Sequence, residues 1–289
     1  MTDLHRFIEA KQAELTALKA AGPDAFSPWT GPRPAFGPAL DHPRGGPLAV
    51  IAEFKRASPS RGLLCASVSP DEAARAYAAA GATALSVLTE ERYFLGHVDD
   101  LHRAAGALGQ DPGPAQTGTA APAPCAPADK QTAPALPLLR KDFLFHPLQV
   151  AATAATPASA LLLIVRLTPD AHLLRSLREQ AEQAGLEAVV EVFDAHDLAL
   201  ARDSGARLIQ VNARDLSTFK VDRSACLALI NACPPRPGER WIAASGMACH
   251  ADLLAAANAG FAAALVGSAL MEHATPGASL RRLLEEEQG

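Results

Sequence analysis

The chain has 289 residues, 49% of them apolar and 20% charged, with 26 Lys and Arg against 31 Asp and Glu for a net charge of −5. That is ample material for a large core, and one α/β barrel of about 250 residues is a standard single domain. The slight acidity speaks against a broad nucleic-acid or polybasic membrane surface, so an anionic ligand must meet a local cluster of positive charge.

Residues 4–20 carry Leu4, Phe7, Ile8, Leu15 and Leu18 at roughly helical spacing. Residues 22–47 are rich in Pro and Gly and predict an irregular connector, so 1–47 is read as an N-terminal helical extension and connector. A strand–helix rhythm then fills 48–289. Strands are expected at 48–54, 84–88, 136–140, 160–165, 187–192, 207–212, 241–245 and 263–267. The first is a continuous apolar run ending in charge, as suits a parallel strand buried on both faces. Ser69-Pro70-Asp71-Glu72 opens a helix that stops at Gly81. Thr168-Pro169-Asp170 opens another, ending near Gly185, and a third runs from Ala195 to Ser204 and stops at Gly205. Eight strands alternating with helical segments predict a (β/α)8 TIM barrel. The stretch 106–134 is rich in Ala, Pro, Gly, Thr and Gln, and reads as a disordered insertion on the αβ side of the barrel.

No run approaches the roughly 18 apolar residues of a membrane helix, and Met1 to Arg6 shows no apolar signal region. The cysteines (Cys65, Cys125, Cys226, Cys233 and Cys249) are odd in number, scattered and never spaced C-x-x-C. Neither a zinc site nor a disulfide framework is indicated, and a reduced, cytoplasmic protein is expected. The nine histidines are scattered and read as surface residues, and Asp99-Asp100 and Glu285-Glu286-Glu287 as solvated helix faces or ends.

Active sites of such barrels lie at the C-terminal ends of the strands. There the chain places Glu53 and Lys55, then Lys141, Glu191, Asn212 with Arg214 beyond, Ser245-Gly246, and Gly267-Ser268. Glycine beside serine after the seventh and eighth strands lets backbone N–H groups approach an oxyanion, the common phosphate site of this fold. Glu53 and Lys55 are two apart and share a face. With Lys141 and Glu191 they make a Lys/Glu set without a metal cluster, which suits proton transfer on an anionic substrate. The competing reading is a structural ion-pair layer capping the core.

The segment Ile51-Ala-Glu-Phe-Lys-Arg-Ala-Ser-Pro-Ser-Arg-Gly62 closely resembles the signature of indole-3-glycerol phosphate synthase. Further strings resemble the family in its own order: 84–96, Leu138-Leu-Arg-Lys-Asp-Phe143, Val190-Glu-Val-Phe-Asp194, Asn212-Ala-Arg-Asp-Leu216 and Leu265-Val-Gly-Ser-Ala-Leu-Met271. The resemblance implies closure of a pyrrole ring on 1-(2-carboxyphenylamino)-1-deoxyribulose 5-phosphate, with loss of CO2 and water and no cofactor or metal. It implies Lys141 as general acid, Glu191 in later proton transfer and dehydration, and Glu53 in support. Asn212 would bond a substrate hydroxyl, and Lys55 would orient the anionic end. Ser58, Ser245, Gly246, Gly267 and Ser268, with Arg214, would hold carboxylate or phosphate, and Phe94 and Phe143 would pack the aromatic ring. The extension would cover the substrate side of the barrel, and association with other tryptophan-pathway enzymes is compatible with this role. Two departures stand out: Ala244 where the family usually has Glu, and Ala213 where it often has Asn or Ser. Ala244 motivates an alternative, a catalytically degenerate phosphate-binding barrel that acts as a ligand- or partner-binding module. A related phosphate-binding barrel, phosphoribosylanthranilate isomerase, would normally lack the 53–60 string.

Overall fold

The computed structural model describes residues 4–110, 135–214, 220–272 and 275–285. In chain order it runs α1 (His5–Ala10), α2 (Gln12–Ala21), α3 (Phe36–Ala39), β1 (Ala49–Phe54), β2 (Ala57–Ser58), β3 (Gly62–Leu63), α4 (Pro70–Ala80), β4 (Ala84–Leu88) and α5 (Asp99–Ala107). It continues with β5 (Leu138–Leu144), α6 (Pro147–Ala154), β6 (Ala160–Ile164), α7 (Ala171–Gln183), β7 (Glu187–Val192), α8 (Ala195–Ser204) and β8 (Leu208–Asn212). The last elements are α9 (Arg223–Ala232), β9 (Arg240–Ala244), α10 (His250–Ala259), β10 (Ala263–Val266), α11 (Ser268–Met271) and α12 (Pro276–Leu284). Among the described residues, eight parallel strands close in the order β1-β10-β9-β8-β7-β6-β5-β4, while β2 and β3 form a small antiparallel ribbon. No helix among them is long and apolar enough to cross a membrane.

The apolar strands are continuous because each is covered twice. On β1, Val50, Ala52 and Phe54 join the layer between barrel and helices, whereas Ala49 and Ile51 join the barrel interior. The helices start where the sequence signals. Ser69 and Glu72 form a reciprocal capping box with Pro70 in the first turn, and Gly81 ends α4 in the left-handed region at φ 101°. Gly205 ends α8 in the same way.

The third expected strand is shifted. It spans Leu138–Leu144 rather than 136–140, so Lys141, Asp142 and Phe143 lie within it and not after it. Between the pairs Arg140–Leu161 and Leu144–Leu163 the register with β6 slips, which marks a bulge. A bulge bends the strand and re-aims its side chains, so a charged run that looks like a strand end can stay in the sheet.

The N-terminal extension is also more structured than expected. The anticipated single helix is two, α1 and α2, meeting at Lys11, and the connector contains α3 and a 3-10 turn at Pro23–Ala25. Helix α1 lies over the C-terminal ends of the strands, where Phe7 stacks on Phe143 with centroids 4.1 Å apart. The chain then passes α6 and α7, where Arg33 donates to the carbonyls of Ala154, Thr156 and Ala184. At the opposite end, the N–H groups of Phe36 and Gly37 donate to the carboxylate of Glu187, the first residue of β7. Phe36 and Leu40 are fully buried there, in one cluster with Ala49, Leu208 and Ala263. One segment thus closes both ends of the barrel.

Asp100 corrects a further expectation. It is buried, not solvated, and bonds both nitrogens of Arg56. Of the expected insertion at 106–134, residues 106–110 complete α5 and its turn, and 111–134 lie outside the described residues, as do Asp215, Leu216, His273, Glu286 and Glu287.

Candidate active site

A cavity of about 480 Å³ opens at the C-terminal ends of the barrel strands. That is the size range of small-molecule sites. Every expected site residue lines it: Glu53, Lys55, Ser58, Phe94, Lys141, Phe143, Glu191, Asn212, Arg214, Ser245, Gly246, Gly267 and Ser268. They come from separate strands and the loops beyond them, so only closure of the barrel brings them together.

Two Lys–Glu pairs occupy the interior. Lys55 Nζ lies 2.8 Å from Glu53 Oε1 on the same strand end. Across the barrel, Lys141 Nζ of β5 lies 4.0 Å from Glu191 Oε2 of β7. Glu53 and Glu191 are almost wholly buried, while both lysines keep partial access to the cavity. A carboxylate in such a place needs a cation or donors near it, and each has a lysine. The Oε2 atom of Glu53 and the hydroxyl of Ser58 are buried without a hydrogen-bond partner among the described residues. Buried polar atoms are normally bonded, so these two are positions a ligand can satisfy.

Opposite lies a turn of unusual backbone. Ser245 has φ 69° and Gly246 φ 83°, two left-handed residues in succession. The Ser245 hydroxyl donates to Asn212 Oδ1 at 2.9 Å, and the N–H of Arg214 donates to the same oxygen at 2.9 Å. Those two bonds help hold a non-glycine residue in a conformation that side chains disfavour. A Cβ at Gly246 would come within 2.8 Å of Val221 and 2.7 Å of Arg223, and one at Gly267 would strike Glu53 and sit 2.8 Å from Lys55 Nζ. Both glycines leave space at the cavity wall that any side chain would fill. Gly267 precedes the short helix α11.

Positive charge gathers at this end, where Arg61, Arg214 and Arg223 join Lys55. Arg61 pairs with Glu272, and Arg223 pairs with Asp252 and donates to the Gly246 carbonyl. Desolvation, with Arg61 close by, holds the Arg214 guanidinium below its ordinary pKa. An anion placed there would relieve that penalty. The other end is aromatic: Phe94 and Phe143 lie 6.2 Å apart, and Phe7 of α1 covers Phe143.

Among the wall residues that were not expected, Phe7, Arg223 and Gln210 bear on the site's shape and charge. Phe7 sits on the apolar face of α1 and is indistinguishable in sequence from a packing residue. Arg223 opens α9, beyond the loop that follows β8, and carries no strand-end signal of its own. Gln210 of β8 is completely buried and donates through Nε2 to Glu191 Oε2. Its spacing of two from Asn212 was the available signal, since both must face the interior. Ala244 pairs in register with Asn212 and lines the cavity, so no carboxylate stands at that position.

The sequence profile of the indole-3-glycerol phosphate synthase family matches residues 4–114 and 128–283. A protein named indole-3-glycerol phosphate synthase from Mycolicibacterium vanbaalenii is 38% identical over 98% of this chain and 94% of its own length. One of the same name from Rhizorhabdus wittichii is 39% identical over 96% of this chain and 92% of its own. A third, from Desulfosudis oleivorans, is 33% identical over 97% and 98%. Among solved structures, a cube-shaped, highly porous protein cage designed by fusing symmetric oligomeric domains aligns with a TM-score of 0.51 at 17% identity. It covers 82% of this chain and 70% of that one, a likeness of fold alone.

Proposed function

We propose, from the premise that this chain belongs to the indole-3-glycerol phosphate synthase family, a division of labour in which Lys141 and Glu191 carry the proton transfers of ring closure and dehydration. The reaction converts 1-(2-carboxyphenylamino)-1-deoxyribulose 5-phosphate to indole-3-glycerol phosphate, CO2 and water. The observation behind this division is the Lys141–Glu191 pair, 4.0 Å apart, in a cavity with one aromatic and one cationic end.

In this reading the phenyl ring lies against Phe94 and Phe143. The phosphate lies by Ser245, Gly246, Gly267 and Ser268, with Arg214 adding charge. Lys55, held by Glu53, orients the carboxylate, and Ser58 supplies a hydroxyl. Asn212 faces the sugar hydroxyls. Ring closure joins the ring carbon that bears the carboxylate to the ketone carbon. The carbonyl π pair moves to oxygen, which takes a proton from the Lys141 ammonium. Proton donation matters because it removes the charge that would otherwise build on that oxygen. The bond to the carboxylate then breaks, CO2 leaves, and its electron pair restores the aromatic ring.

Dehydration follows. Glu191 accepts a proton from the methylene beside nitrogen, that proton is delivered to the departing hydroxyl, and water leaves as the pyrrole double bond forms. One proton from solvent recharges Lys141, which balances the cycle. Loss of CO2 without oxidation places the enzyme among the carboxy-lyases. Work in the cytoplasm, beside other enzymes of tryptophan synthesis, fits this role.

Purified protein mixed with the carboxyphenylamino substrate and followed by indole fluorescence is the test. Wild type should form product, with Lys141→Ala and Glu191→Gln slower by at least about a hundredfold, the usual worth of a positioned acid or base. Binding without indole would instead point to a degenerate barrel, with Ala244 as the first suspect.

A further inference from the structure

We infer that Gln210 is a positioning residue for Glu191, kept in the barrel interior for the reaction and at some cost to stability. The inference rests on the role proposed for Glu191 in dehydration.

Three observations carry it. Gln210 is 0% exposed, on the inward face of β8 two residues from Leu208 and in register with Ile242 of β9, both members of the apolar interior cluster. Its Nε2 donates to Glu191 Oε2, the same oxygen that Lys141 approaches from β5. Its own Oε1 has no partner among the described residues. A half-satisfied buried amide is unfavourable beside an apolar side chain of the same size, so packing does not explain it. What remains is the bond to Glu191.

That bond has a specific use. An ionised carboxylate only accepts, so the amide must present nitrogen to it. A protonated carboxyl can donate, and a half-turn of the amide would present Oε1 instead. The one side chain can therefore hold Glu191 in place both before and after it takes a proton. Neighbours of the pair also matter for any pH dependence. Lys141 faces it from β5, and Lys55 with Glu53 lies across the same cavity.

The test uses the full chain with Gln210→Met, Gln210→Glu and Glu191→Gln, measuring kcat, KM and thermal melting. Gln210→Met preserves volume and should melt at or above wild type, while kcat falls at least tenfold and KM changes less than threefold. Combined with Glu191→Gln it should add nothing further, since both act through one group. Gln210→Glu sets two carboxylates against each other. Its activity relative to wild type should rise as pH falls, when one shared proton restores the hydrogen bond. If Gln210→Met keeps kcat within twofold, or loses kcat and melting temperature together, the inference fails. An impaired Glu191→Gln beside an unimpaired Gln210→Met overturns Gln210 alone, whereas a fully active Glu191→Gln overturns the proposed role of Glu191 and this inference with it.

Discussion

Lys11 Nζ lies 2.9 Å from Oδ2 of Asp142, which ties the N-terminal extension to the strand position next to Lys141. The same oxygen receives the Thr89 hydroxyl at 2.6 Å and Arg140 Nη2 at 3.0 Å, and Oδ1 receives the N–H of Phe143 at 2.8 Å. Asp142 is therefore fully satisfied although its side chain has no exposure. The extension and the bulged part of β5 share one polar anchor, and the Phe7–Phe143 stack sits beside it. Covering the aromatic end of the cavity and shaping the strand that bears Lys141 are parts of one arrangement.

Breaking that anchor on one side should be costly. Lys11→Met leaves Asp142 with Arg140 as its remaining cation, and we expect a loss of about 2 kcal/mol, the usual worth of a hydrogen bond to a charged group. Asp142→Asn leaves Lys11 and Arg140 to share the carboxylate of Glu14 alone and should cost about 3 kcal/mol, because removing one member of a buried ionic cluster is penalised more than the pair is rewarded. Denaturant unfolding of both variants and of the double variant measures this. The double variant should recover part of the loss. The Lys11 variant should also raise KM severalfold as α1 loosens over Phe143.

The same anchor should withstand acid. Burial alone would raise the Asp142 pKa, but Lys11, Arg140 and the Thr89 hydroxyl outweigh it and hold the carboxyl down from its ordinary 3.8 to about 2. A pKa depressed by folding gives stability that is fully present above the unfolded value and is lost as pH falls through the folded one. The stability gap between wild type and Asp142→Asn should be flat above about pH 5 and shrink between about pH 4 and pH 2. A gap that already narrows near pH 6 would contradict the assignment.

Gly267→Ala tests the cavity wall directly. Its φ is −127°, outside the left-handed region that favours glycine. The new methyl would meet Glu53 and Lys55 at the ends of their side chains, which can move. Melting should change little, while kcat/KM falls on the order of tenfold to a hundredfold as the Glu53–Lys55 pair is displaced, since ångström-scale misplacement of site groups is that costly. A protein that unfolds instead would show the contact to be structural.

The barrel strands other than β5 were legible from apolar runs flanked by Gly, Pro and charge, because a parallel strand buried on both faces leaves that trace; the short ribbon β2–β3 left none. The failures share a cause. Lys141-Asp142-Phe143 looked like the end of a strand because charge in a sheet is unexpected until Lys11 and Arg140 come into view. Asp100 looked solvated because its partner Arg56 is 44 positions away. Phe36 and Leu40 lie in a proline-rich stretch whose local pattern offers no helix, and they are ordered by the barrel floor they fill. Gln210 was passed over as an uncharged residue in an apolar run.

Local periodicity, capping residues and the order of charged strand ends were enough to specify eight strands, their alternation with helices, and which residues would face one mouth. Those are properties of short windows, set by backbone geometry and the pairing of apolar faces. Closure of the barrel decided the rest: that Lys141 meets Glu191 from two strands away, that Gln210 reaches the same carboxylate, and that residues near the N-terminus seal both ends. Contacts between groups tens to more than a hundred positions apart depend on where the last strand meets the first, and no window of sequence contains that distance.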